Sequence, residues 1–204
     1  MLFRIFICVM TVLCLYAVYS IVKIRNFYAD IRNPAAEFTV KNPDSPRNHN
    51  PLTIVEFVNY DCGYCAATHL VLLDYTEDNP DVVYVARPVP YANGNAEQKA
   101  KVVLAAGLQG KFWDMDKVLT EYTGPVDEKF LSETAALYEM DLEKLKTDIN
   151  GNDVFKFAQD NAHASQRLGL ETTPAFMIGK MIYQPDAPLT LSDLIRMVHL
   201  EQNK

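Results

Sequence analysis

The chain has 204 residues, 49% of them apolar and 22% charged, with a formal net charge of −7. This is ordinary globular composition, which excludes a disordered or fibrous chain. The acidic surplus excludes a surface built to hold nucleic-acid phosphates and reads as a device for solubility, with no substrate preference in it.

Ile5 to Val22 is an uncharged apolar run flanked by Arg4 on one side and Lys23 and Arg25 on the other. Its length falls at the short end of the roughly 17–25 residues that span a bilayer as a helix. The alternative is a cleaved signal peptide, but Ala17-Val18-Tyr19 matches a small-x-small cleavage site poorly. Neither Ile7 before Cys8 nor Leu13 before Cys14 is the small residue that precedes a lipoprotein cysteine. Residues 1–25 are therefore read as an uncleaved membrane anchor. Its orientation is left open, because Arg4 and the amino terminus face Lys23, Arg25 and Arg32 across it. Ile24 to Ile31 continues the helix until Asn33-Pro34 ends it. Residues 26–50, with Pro34, Pro43 and Pro46, read as a linker holding at most a short edge strand near Phe38 to Val40.

A single domain is expected over 51–204. Leu52 to Val58 is a short run rich in β-branched and aromatic residues, the pattern of a buried strand. Asn59 to Asp61 follow, then Cys62-Gly63-Tyr64-Cys65, then Ala66, Ala67, His69, Leu70, Leu72 and Leu73, which favour helix. Cys62 thus falls at a helix N-terminus, where unpaired N–H groups and the positive end of the dipole favour a thiolate. The thiolate is the attacking species in disulfide exchange. Cys65, on the next turn, can close a small disulfide with it or resolve a mixed one. A zinc site would need four ligands. Cys8 and Cys14 lie in the membrane segment, so His49, His69, His163 and His199 would have to make up the number without any second pair at metal spacing. A purely structural disulfide across so short a loop would constrain the unfolded chain very little. Redox chemistry is the favoured reading.

Beyond the Cys62 helix, Asn79-Pro80-Asp81 marks a turn, and Val82 to Ala86 a second strand ended by Arg87-Pro88-Val89-Pro90. Asn93-Gly94 is a turn, and Asn95 with Gln98 forms a capping box for a helix carrying Ala96, Ala100, Val103, Leu104 and Leu108. Further helical stripes are Phe112, Met115, Val118, Leu119; Phe130, Leu131, Ala135, Leu137; Leu142, Leu145, Ile149; and Val154, Phe157, Asn161, Ala164, Leu168. Their Met and aromatic members, with Trp113, are read as core. A helical block at about 95–165 is thus inserted between strands. Gly169 caps the last of these helices. Thr172-Thr173-Pro174 leads into the strand Ala175 to Ile178, with Pro174 at a strand start where an X-Pro bond can be cis. Gly179-Lys180 turns a hairpin into Met181 to Tyr183, and Thr190 with Asp193 caps a final helix through Leu194, Ile195 and Val198.

Taken together, Cys62-Gly63-Tyr64-Cys65 after a strand, the inserted helices with Gln109-Gly110-Lys111-Phe112-Trp113, and Thr173-Pro174-Ala175-Phe176 before a hairpin resemble the DsbA-like thiol:disulfide oxidoreductases of the thioredoxin superfamily. The likeness runs from about Pro51 to the C-terminus. It implies an α/β thioredoxin-like fold with an inserted all-helical subdomain, preceded here by the N-terminal transmembrane helix. It implies Cys62 as exposed nucleophile, Cys65 as buried resolving thiol, Pro174 as a cis-proline facing the pair, and the Thr173 backbone, with Gly63 and Tyr64, as the surface meeting substrate. Glu56, six residues before Cys62 on an otherwise apolar strand, resembles the family's buried acid. Buried without a cation partner, such a carboxylate resists ionisation and could relay the Cys65 proton. The competing reading turns Glu56 toward solvent. His69 is read as a surface or helix-face residue outside the site.

No imidazole lies between the cysteines, and Gly63-Tyr64 with Thr173 resembles disulfide isomerases as much as oxidases. The potential is left open between about −270 and −120 mV. The expected activity is thiol–disulfide exchange on extracytoplasmic proteins, introducing disulfides, with an isomerase or reductase of the same fold as the alternative. A non-catalytic metal-delivery or holdase module using Cys62 and Cys65 is the alternative of another class. No metal or organic cofactor is expected. Expected partners are unfolded or partly folded secreted proteins, a membrane redox protein that resets the pair, and the membrane through residues 1–25, with no nucleic acid. The place is a bacterial envelope, with the domain in the periplasm anchored to the inner membrane. The chain has no N-x-Ser/Thr acceptor, which fits that setting.

Overall fold

A computed structural model of the chain describes residues 2–45, 52–90 and 94–203. It divides into two compact units, 1–33 and 34–204. The first is the helix α1 (Leu2–Arg32). Its apolar window has a mean hydropathy of 2.5 and none of that window is buried, so it is long and apolar enough to cross a membrane.

The second unit is built on a five-stranded mixed sheet in the order β1-β3-β2-β4-β5. The strands are β1 (Val40–Lys41), β2 (Thr53–Val58), β3 (Val83–Pro88), β4 (Ala175–Ile178) and β5 (Met181–Tyr183). β2 runs parallel to β3 and antiparallel to β4, with Glu56 opposite Ala86 and Phe176. Every residue of β2, β3 and β4 is buried, as expected when helices cover both faces of a sheet. β1 and β5 form the edges, and β1 is only two residues long.

Helix α2 (Gly63–Asp78) follows β2, and the inserted block comprises α3 (Gly94–Gly107), α4 (Phe112–Glu121), α5 (Glu128–Leu137), α6 (Leu142–Ile149) and α7 (Asn152–Arg167). α8 (Leu191–Gln202) closes the chain. Side-chain caps start several of these helices: Asp127 accepts from Phe130 N–H, Asp141 from Lys144 N–H, and Thr190 from Asp193 N–H. Ile54, Val58, Tyr84, Ala86, Phe176 and Ile178 on one sheet face join Leu72, Leu104, Phe112, Met115 and Leu119 in the main core. Each such large apolar side chain contributes about 1.5–3 kcal/mol by leaving water.

Four local readings are corrected. β3 runs on through Arg87 to Pro88, because Arg87 is held inside by Asp160 and Asn161, and the ladder resumes with Val89 N–H to the Val58 carbonyl. Asn95 is no cap: α3 begins at Gly94, and the Asn95 amide donates to Asp61 Oδ1 at 2.7 Å. Leu137 and Ile195 are exposed, being two residues past Ala135 and one past Leu194 and so off the inward stripe. The turn expected at Asn93-Gly94 falls partly outside the described residues, as does the expected domain start at Pro51.

Candidate active site

β2 delivers the chain to the site. Asn59 Oδ1 accepts Asp61 N–H and the Asn59 carbonyl accepts Cys62 N–H, forming the short turn that separates strand from helix. Cys62 is the N-cap of α2, in extended conformation, and its sulfur accepts the N–H of Cys65 at 3.4 Å. It is partly exposed, whereas Cys65 is fully buried. Cys62 Sγ–H donates to the Thr173 carbonyl at 3.5 Å, and the Thr173-Pro174 bond is cis. The sheet therefore brings the cysteine pair and the Thr-Pro dipeptide together from opposite ends of the sequence. Tyr64 is 55% exposed, and apart from its chain neighbours and its own helix nothing lies within 4 Å of where a Gly63 Cβ would sit, so the surface beside Cys62 is open at these two residues. Burial pushes the Cys65 thiol well above its usual range. Its hydrogen bonds to Thr173 and Asn59 offset part of this, while Cys62 and the Glu56 charge add to it. Cys65 is thus a thiol that needs a base before it can attack.

Glu56 is fully buried on the inner sheet face between Ile54 and Val58, which removes the solvent-facing reading. It does have a cation-capable partner, contrary to expectation. His69 Nδ1 lies 2.5 Å from Glu56 Oε2, and His69 Nε2 lies 2.8 Å from Asp116 Oδ2. Tyr84 donates its hydroxyl to Glu56 Oε2 at 2.5 Å and Tyr60 donates to Asp116 Oδ1 at 2.5 Å. Desolvation alone would lower the His69 pKa, but Asp116 and Glu56 outweigh it and push the value up to about 10. Burial and the neighbouring carboxylates push both tyrosines well above their usual range. Glu56 Oε1 is left without a hydrogen-bond partner among the described residues.

His69 is therefore an interior residue, and reading it as a surface residue was wrong. The signal was in the spacing: Cys65, Thr68, His69, Leu72, Leu73 and Thr76 form one buried stripe of α2. Asp116 likewise sits in the buried stripe of Phe112, Met115, Leu119 and Thr120 on α4. Lys99 was also missed. Fully buried, its ammonium donates to the carbonyls of Tyr60 and Tyr122 and to Asp61 Oδ1, at 3.0, 2.6 and 3.1 Å, tying α3 to the turn before Cys62.

The family model described as Thioredoxin matches residues 47–198. The chain belongs to this thioredoxin family. Among solved structures, a thioredoxin-like oxidoreductase from Silicibacter pomeroyi superposes with a TM-score of 0.71 at 24% identity, covering 84% of this chain and 99% of that one. The catalytic domain of Proteus mirabilis ScsC gives 0.73 at 22% identity over 89% and 97% of the two chains. The thiol-disulfide exchange protein alpha-DsbA2 from Wolbachia pipientis gives 0.72 at 20% identity over 88% and 94%. These likenesses bear out the thioredoxin-like fold. Among curated proteins, a Na(+)/H(+) antiporter NhaA 1 of Mycolicibacterium vanbaalenii is 26% identical over 151 residues, 72% of this chain and 24% of the antiporter. The NhaA antiporter of Herminiimonas arsenicoxydans is 28% identical over 129 residues, 62% of this chain and 20% of that protein. The chain thus spans about a quarter or less of the length of these two relatives.

Proposed function

We propose that this family member is a protein thiol–disulfide oxidoreductase that introduces disulfides into extracytoplasmic proteins. The observation that carries the reading is the asymmetry of the pair, a partly exposed Cys62 at the N-cap of α2 with a buried Cys65 one turn on. In the oxidised enzyme a substrate thiolate attacks Cys62 Sγ, the Cys62–Cys65 bond breaks, and Cys65 leaves as a thiolate that takes a proton through Glu56. A second substrate thiolate then attacks the substrate sulfur of the mixed disulfide and Cys62 leaves. The substrate has lost two electrons to form its disulfide, and the enzyme has gained them as a dithiol. Gly63 and Tyr64 form the rim of the site, and the Thr173 backbone beside Pro174 pairs with the substrate chain.

A membrane redox protein must then reoxidise the dithiol. α1 as an anchor would keep the domain beside it in a bacterial envelope, and the match to membrane antiporters fits a domain that works near a bilayer. Replacing Cys62 by Ser is expected to abolish thiol oxidation and insulin reduction together, and retained activity would remove Cys62 as nucleophile. Equilibration of the pair with glutathione decides direction. A strongly oxidising couple supports the oxidase, and a value near that of thioredoxin, about −270 mV, replaces it with a reductase.

A further inference from the structure

Both ring nitrogens of His69 face carboxylate oxygens, Glu56 Oε2 and Asp116 Oδ2, at hydrogen-bonding distance in a fully buried site. Ionised carboxylates only accept, and a neutral imidazole has one N–H to give. Two acceptors on one ring call for two donors, so the arrangement suits an imidazolium held between two carboxylates. Among the described residues, the ionisable groups placed against the ring are Glu56 from β2, Asp116 from α4, Tyr84 from β3 with its hydroxyl 3.0 Å from Nδ1, and Tyr60 from the turn after β2, while Cys65 lies buried one turn back on α2. Oε2 of Glu56 already accepts from His69 and Tyr84, so its remaining capacity lies on the unpartnered Oε1.

We infer that His69, clamped by Asp116, is a positioning residue that keeps Glu56 as a charged carboxylate with Oε1 open to take the proton of Cys65. The inference rests on the exchange reading of Cys62 and Cys65. An isolated carboxyl at this depth would stay protonated and could not act as a base. The buried cation beside Oε2 removes that penalty, and Asp116 in turn holds the cation. In the resolving step the Cys65 S–H proton passes to Glu56, Cys65 Sγ bonds to Cys62 Sγ, and the sulfur previously bonded to Cys62 leaves as a thiolate. The pKa of His69, at about 10, agrees with this charge assignment.

The test uses the full chain in detergent with Cys8 and Cys14 replaced by Ser, reduced and mixed with an aromatic disulfide that releases a coloured thiolate. The first release reports Cys62 attack, and the second reports Cys65 displacing the thiol held on Cys62. His69→Gln, which keeps a donor but no charge, is expected to leave the first phase unchanged. The second is expected to slow at pH 7 by about 100-fold, the low end of what a positioned base contributes, and to recover as pH rises. Asp116→Asn is expected to shift the second phase in the same direction. A second phase with the parent rate and pH profile in His69→Gln would reduce His69 to packing. Loss of the first phase in the parent protein would overturn the exchange reading instead. Independently of how the variants fold, nitrogen NMR of histidine-labelled parent protein should show both His69 ring nitrogens protonated at pH 8, and a neutral ring there would overturn the inference.

Discussion

Around β2 the protein buries Glu56, His69, Asp116 and Lys99, all without exposure, and holds each with hydrogen bonds. In α5 and α6 it buries Phe130, Leu131, Ala135, Leu145 and Ile149 with Thr134 as the polar exception. The second region is maintained by apolar area and helix caps and would tolerate other carbon skeletons of similar volume. The first is maintained by exact pairing: once one partner is gone, the others are charges stranded in a low-dielectric interior. The region that holds the proposed chemistry is thus also the less tolerant of substitution of the two.

The sharpest way to break the contrast is His69→Leu, which leaves Glu56 and Asp116 buried with no cation. A loss of about 3–5 kcal/mol in denaturant unfolding of the reduced protein is expected. The same residue gives the site a pH dependence. Its folded pKa, about 10, lies above its ordinary 6.5. The stabilisation is therefore fully present below about pH 6.5 and is lost as pH rises toward about 10. Unfolding followed from pH 6 to 10 should show this decline in the parent chain and not in His69→Leu. In the apolar region, Leu145→Ala should cost about 2–5 kcal/mol through the cavity it opens, leaving that pH-dependent decline unchanged. The smallest effect is expected at Asp141→Ala, which frees Lys144 N–H, now held at 2.9 Å, and should cost about 1 kcal/mol in the same assay.

Much of this architecture was readable from one-dimensional patterns. The cysteine pair at a strand-to-helix junction, the inserted helices, the Gly179-Lys180 hairpin and the Thr190 cap all depend on residues close in sequence. The edge strand at Val40–Lys41 overlaps the expected Phe38 to Val40. Around the site, the errors fall where a polar residue occupies an inward position. His69 was read as a surface or helix-face residue one turn after Cys65, although its four-residue spacing from Cys65 placed it on the same buried face. Glu56 was expected to be a buried acid and is buried, but its cation-capable partner lies thirteen residues away on another element.

By itself the sequence determined which segments would be helix or strand and which sulfur would open α2, since propensity, periodicity and capping act over a few residues. Only the tertiary structure decided that β2, α2 and α4 converge so that two acids share one imidazole, and that Thr173 arrives beside Cys62 from 111 residues away. Neither could be read along the chain. Both follow from strand order and helix packing, which bring together side chains that no local pattern connects.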